Sequence, residues 1–170
     1  MQDNINEFIK SLDNPFWQFS LKIYSKKEIK EILLYFQDKY QFNVNLVLFV
    51  LWLGFSEKEL SIDFLEESMN LIKPLQMKVT KNLRNIRKNA KEDLIQNNFD
   101  LFYKILLNTE LASEAIEQNI LCNFAVEQYK ITDSFNYNIA AKNLKLLINI
   151  NKIKLDEEVQ LHVDYLIKHV

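Results

Sequence analysis

Residues 16–52 read FWQFSLKIYSKKEIKEILLYFQDKYQFNVNLVLFVLW, and this stretch decides the fold. Two segments at helical spacing lead into Val44-Asn-Leu-Val-Leu-Phe-Val-Leu-Trp52, a run too apolar on every side to face water. A helix of that kind needs neighbours all round it, so the rest of the chain is expected to wrap it. With its continuation to Phe55 the run is about a dozen residues, well short of the roughly 20 needed to span a bilayer. It therefore reads as a buried core helix, and no membrane span is expected.

Working outward, the segment before it carries Ile29, Ile32, Leu33, Phe36 and Tyr40 at the i, i+3, i+4, i+7 spacing of one buried helical face. Upstream, Asn14-Pro15 supplies a helix start, with asparagine as cap and proline at the first helical position. Residues 3–12 form a further short helix with Ile5, Phe8, Ile9 and Leu12 on one face. Ser25-Lys-Lys-Glu28 and Ser56-Glu-Lys-Glu59 both have capping-box spacing and are expected to open the next helices. Pro74 should kink or restart the helix that contains it. Beyond it, Leu75, Val79, Leu83, Ile86 and Ala90 form a stripe expected to face inward. A long helix over residues 99–129 and two shorter ones, residues 134–150 and 157–168 with Asp156 as cap, complete the chain.

Composition agrees with this reading. The chain of 170 residues has 1 glycine and 2 prolines, too few for the turns of a sheet-rich protein. With 48% apolar and 26% charged residues it can form a core. No repeat, linker or low-complexity tract divides it. The expected architecture is all-α, a single domain over residues 1–170, with about seven or eight helices around a central apolar helix. The lone Cys122 excludes an intrachain disulfide and a multi-cysteine zinc site, and fits a reducing, cytoplasmic compartment. The polar, acidic start MQDNINEFIK is unlike a signal peptide.

Chemistry is harder to place. Glycine-rich phosphate loops, Gly-x-Ser-x-Gly and His-Glu-x-x-His motifs are all missing, so enzyme classes that depend on them are excluded. What remains is polar. Glu110, Glu114 and Glu117 share one face of the long helix with Tyr103, Leu106, Leu121 and Phe124, so they need partners. The chain's two arginines, Arg84 and Arg87, lie three apart and suit carboxylates better than lysines do. Arg87, and with it Arg84, is paired with the glutamate face, chiefly as a structural network. A two-metal carboxylate site needs Glu-x-x-His pairs, and neither His162 nor His169 has a glutamate three residues before it. No metal or other cofactor is expected.

Residues 73–91 hold Lys78, Lys81, Lys88 and Lys91 beside the arginines with no acidic residue among them, a basic face that could track phosphates. A solvated lysine face is the commoner origin of such a pattern, and the net charge of −2 gives no general attraction to nucleic acid. Asp38, Asn43 and Asn45 are read as caps for the facing ends of two helices. A ligand site there would need them to meet Trp17, Tyr24 or Trp52 in one pocket.

Trp17-x-x-Ser20-x-x-x-Tyr24, Gln37-Asp38, Val44-Asn45-x-x-Leu48-Phe49-x-x-Trp52, Pro74-Leu75, Leu83-Arg84-x-x-Arg87 and Glu110-Leu111-x-x-Glu114-x-x-Glu117-Gln118 together resemble an uncharacterised family of small helical proteobacterial proteins. The likeness covers residues 16–121 and leaves out the C-terminal quarter. Gln41-Phe42 stands where that family has glycine after the Gln-Asp element. The resemblance implies a cytoplasmic, all-helical bacterial protein with no known activity. It also groups Gln37, Asp38, Asn45, Arg84, Arg87, Glu110 and Glu114 as one constellation. The function expected is a non-catalytic helical module that binds a protein partner or itself. Nucleic-acid or ribosome binding through residues 73–91 is the alternative, and a carboxylate-centred small-molecule or metal site the second.

Overall fold

The computed structural model describes residues 2–96 and 99–170, with side chains from 4 to 94 and from 99 on. Helices α1 (Gln2–Ser11), α2 (Pro15–Tyr24), α3 (Lys27–Tyr40) and α4 (Val44–Trp52) come first, α4 closing in a 3₁₀ turn (Leu53–Phe55). Then α5 (Ile62–Leu75) runs through a π turn (Gln76–Thr80) into α6 (Lys81–Gln96). Finally come α7 (Asp100–Val126), α8 (Tyr137–Ile150) and α9 (Glu157–His169). Among the described residues, counting 62–96 as one rod gives 8 helices, and helix makes up 80% of the structure. Among the described residues there is no strand, only an isolated bridge between Ser56 and Ile131.

The fold is the expected helical bundle around α4. Every residue from Asn45 to Trp52 is buried, and α2, α3, α7 and α8 all pack on this helix. Phe16 links α2 to it, with ring centroids 5.5 Å from Phe49 and 5.3 Å from Trp52. Each fully buried Phe, Leu or Val contributes about 1.5–3 kcal/mol relative to exposure, so this helix concentrates the hydrophobic stabilisation. Helix α9 packs against α3 and α8, α1 lies on α7, and α6 and α7 form an antiparallel pair. No described helix is long and apolar enough to cross a membrane.

Helix starts follow the sequence in part. Asn14, Asn43, Asn136 and Asp156 accept from backbone N–H groups at the starts of α2, α4, α8 and α9. Neither capping box forms. Lys26 precedes α3 without a side-chain cap, while Ser25 Oγ donates back to Lys22 O. Ser61, not Ser56, caps α5, and Ser56 Oγ donates to Lys58 O in the preceding loop. Each hydroxyl is instead spent on a nearby carbonyl, Ser25 on one behind it and Ser56 on one ahead, which leaves the box unmade.

Of the kink or restart expected at Pro74, the restart does not occur. The helix neither stops nor restarts there; it continues and takes up a π turn immediately afterwards. The turn resets the phase of the following helix. Val79 and Ile86, expected inside, are 39% and 52% exposed, while Thr80 is buried and Arg84 and Arg87 turn inward onto α7. The inward face of α6 is therefore polar, because buried carboxylates on α7 need hydrogen-bond donors more than the core needs another valine.

Candidate functional site

Thr80, Arg84 and Arg87 follow one another at i, i+4 and i+7, a single helical face. Opposite them on α7, Glu117, Glu114 and Glu110 repeat at the same spacing in the reverse direction, so the two rows meet like an antiparallel zipper. Thr80 Oγ1 donates to Glu117 Oε1 at 2.6 Å. Arg84 Nε donates to Glu110 Oε1 at 2.9 Å, and its Nη2 to Glu114 Oε1 at 2.5 Å. Arg87 grips Glu110 with two nitrogens, Nε on Oε2 and Nη2 on Oε1. Such forked contacts are the strong form of an ion pair.

Glu117 is fully buried, and among the described residues no arginine pairs with it. Asn43 and Asn45 each donate to its Oε2, at 3.0 and 2.9 Å, completing with Thr80 a cradle of neutral donors. Asn45 Oδ1 in turn accepts from Gln118 Nε2 at 2.9 Å. Asn43 thus both caps α4 and holds Glu117. Asp38 does not cap a helix; it pairs with Lys88 at 2.9 Å, and that hydrogen bond holds its carboxyl below the usual range.

Beside these networks opens a pocket of about 620 Å³, within the range of small-molecule sites. Five helices each give it one face. Trp17, Ser20, Leu21 and Tyr24 come from α2, with Lys30, Leu34, Gln37 and Asp38 from α3. Val44, Asn45 and Leu48 come from α4, and Arg84, Arg87, Lys88 and Lys91 from α6. The α7 wall is Leu107, Asn108, Glu110, Leu111, Glu114 and Gln118. A smaller cleft of about 130 Å³ adjoins it, with Glu117, Thr80, Asn43 and Lys81 in its walls.

Two polar atoms in the wall find no partner among the described residues. Ser20 Oγ and Gln118 Oε1 are both buried and both without a hydrogen bond. Glu114 is electrically unusual as well. Burial pushes its carboxyl up to about 7, with Arg84 opposing the shift and Glu110 adding to it. Burial and the charge of Glu114 also raise the Tyr24 phenol.

Gln37, Asp38, Asn45, Arg84, Arg87, Glu110 and Glu114 all line the one pocket, together with Trp17 and Tyr24. Glu117 lies behind it, in the neighbouring cleft, and Trp52 stays in the core against Phe16. The basic set divides: Lys88 and Lys91 reach the pocket and Lys81 the cleft, while Lys78 is exposed on the π turn. Sequence reasoning passed over Thr80, Lys30, Leu107 and the depth of Ser20. Thr80 was findable, because it is the only hydroxyl residue in residues 74–91 and shares the i, i+4, i+7 register of the two arginines.

Fold and site together define an all-helical protein with a mixed polar and apolar pocket backed by an arginine–glutamate network. The chain belongs to the family described as "Protein of unknown function (DUF2390)", whose model matches residues 15–121. Every residue that lines the pocket falls inside that span. No curated protein and no solved structure matches the chain.

Proposed function

We propose that this protein binds a small molecule in the pocket among α2, α3, α4, α6 and α7. The observation that carries the reading is the pair Ser20 Oγ and Gln118 Oε1, two buried polar atoms left without a partner among the described residues, in the walls of one 620 Å³ pocket. Each such atom costs about 1–3 kcal/mol while unsatisfied, and a ligand with polar groups relieves that cost. The reading is binding rather than turnover, since Glu110 and Glu114 are already engaged by arginines. A cytoplasmic location goes with this reading; the single buried, free thiol of Cys122 is what supports it.

The test is ligand-observed saturation-transfer NMR with a fragment mixture, on wild type and on Leu111→Trp. Leu111 is 37% exposed at the pocket, so an indole there fills the space without disturbing the core. Fragments that receive saturation from wild type should lose it with the variant. Equal signals from both proteins, or none from either, remove the reading.

Binding of a protein partner has one specific support. Phe99, Leu101 and Phe102, at the start of α7, are each more than half exposed, which is unusual for neighbouring large apolar side chains. Light scattering and a pull-down with Phe99→Ser/Phe102→Ser test it; loss of self-association or of a captured partner supports it, and no association in wild type removes it. Nucleic-acid binding draws less support, because Arg84, Arg87 and Lys88 are all spent on carboxylates.

A further inference from the structure

The pocket's charges do not balance. Its walls carry five cationic side chains, Lys30, Arg84, Arg87, Lys88 and Lys91, against Asp38, Glu110 and Glu114. The arginines are paired with the two glutamates and Lys88 with Asp38. That leaves Lys30 on α3 and Lys91 on α6. Lys30 sits over the Tyr24 ring at 5.4 Å, and Lys91 has no ion-pair or hydrogen-bond partner among the described residues. Both are exposed, and both line the pocket.

The same pocket also carries apolar surface. Leu21, Leu107 and Leu111 are among the large hydrophobic side chains left exposed, at 47%, 41% and 37%, and all three line this pocket. Leu34, Leu48 and Trp17 extend the same surface. A small amphipathic molecule would cover these leucines and meet unspent positive charge at the same time.

Resting on the binding reading above, we infer that the ligand is an amphipathic anion: an apolar body laid along Leu21, Leu48, Leu107 and Leu111, with a carboxylate or phosphate head held by Lys30 and Lys91. The apolar part supplies most of the affinity and the lysines supply the choice of sign. Since the lysines are exposed, their contribution weakens as salt is added.

Four probes with the same ten-carbon chain separate the parts: decanoate, decyl phosphate, decanol and decyltrimethylammonium, each titrated calorimetrically into the full chain. Decanoate and decyl phosphate should bind about tenfold tighter than decanol, a difference of about 1.4 kcal/mol, and decyltrimethylammonium more weakly than decanol. Whichever anion is tighter identifies the head group. Lys30→Gln/Lys91→Gln should bring both anions to within about twofold of decanol while leaving decanol unchanged; Leu111→Trp should weaken all four. Two exposed substitutions of this kind leave the fold intact, which circular dichroism checks. Equal or tighter binding of the ammonium, or an anion advantage that survives in the lysine variant, overturns the inference and leaves the pocket reading standing. Absence of any binding sensitive to Leu111→Trp among the four also overturns it, whereas the pocket reading itself fails only with the fragment mixture.

Discussion

Thr80 Oγ1 donates to Glu117 Oε1 at 2.6 Å, and both residues are buried where the π turn passes into α6. This contact closes the neutral cradle around a carboxylate that has no arginine, and it fixes the rotation at which α6 meets α7. With Thr80 turned inward, Arg84 and Arg87 follow at one and two turns further on and arrive at Glu110 and Glu114.

Thr80→Val keeps the shape of the side chain and deletes the donor. Glu117 would then rely on Asn43 and Asn45 alone. Losing one hydrogen bond to a buried charged group is expected to cost about 1.5–3 kcal/mol, seen as a lower urea midpoint with an unchanged slope. A loss below about 0.5 kcal/mol, the scatter of ordinary surface substitutions, would show that the contact does not hold the helix pair.

Glu110→Gln strikes the other network. Its carboxylate is shared by Arg84 and Arg87, whose side chains are only 19% and 17% exposed. Removing one partner of a buried pair typically costs about 3–5 kcal/mol, because the remaining charges stay desolvated; with partial exposure and an amide still able to accept, about 2–3 kcal/mol is expected. Lys39→Gln, at the exposed pair with Glu158, should change stability by less than about 1 kcal/mol. Equal effects at the two sites would contradict this account.

The contrast between α4 and α6 shows what the sequence could convey. Helix α4 was legible because its signal, apolar side chains on every face, depends only on local chain order. The inward face of α6 was not, since periodicity counts apolar residues and assigned Val79 and Ile86 to the core. The actual register is set by carboxylates on another helix and by a π turn that no spacing rule anticipates. Arg84 and Arg87 could be matched to the glutamates by chemistry alone, through the rarity of arginine and the need of a carboxylate for a partner. The pocket could not be matched that way: Ser20 and Gln118 lie 98 positions apart, and only the packing of α2 on α7 brings them to one cavity. At Gly54 the constraint is space, which no sequence pattern records. A Cβ there would lie 2.5 Å from the Phe135 ring and 2.9 Å from the Ala140 Cβ.

Gln41 takes the left-handed conformation, φ 58° and ψ 27°, at the end of α3, which is the position where glycine is the least strained residue. Phe42, buried and tilted against Phe36 with ring centroids 5.9 Å apart, anchors the chain directly after this residue. A left-handed non-glycine residue costs about 1–2 kcal/mol, partly offset by the greater chain entropy that glycine loses on folding. Gln41→Gly is therefore expected to stabilise the protein by about 0.5–1 kcal/mol in chemical denaturation. A destabilised variant would mean that the weak bond from Gln41 Nε2 to Asp38 O, at 3.3 Å, contributes more than its length implies.

Glu114 makes stability depend on pH in an unusual direction. Its carboxyl titrates near 7 in the folded protein against an ordinary 4.5, burial being the main cause. Between those values the folded state binds more protons than the unfolded one, so unfolding releases a proton and stability falls as pH rises. The penalty is absent below about pH 4.5 and complete above about pH 7. A shift of this size converts to about 3 kcal/mol, but a quarter of the side chain is exposed and water screens that part, so about 1–2 kcal/mol is expected. Asp38 and Glu158 titrate the other way, held low by Lys88 and Lys39, and their contributions are lost only as pH falls below the ordinary carboxylate range. Subtracting the profile of Glu114→Gln from that of wild type isolates the one residue: the amide keeps the Arg84 contact and cannot ionise. The difference should slope between pH 5 and 7 and be flat above 7.5. A flat difference throughout would mean that Arg84 keeps Glu114 ionised across the whole range, and that the pocket wall carries one more fixed negative charge near neutral pH.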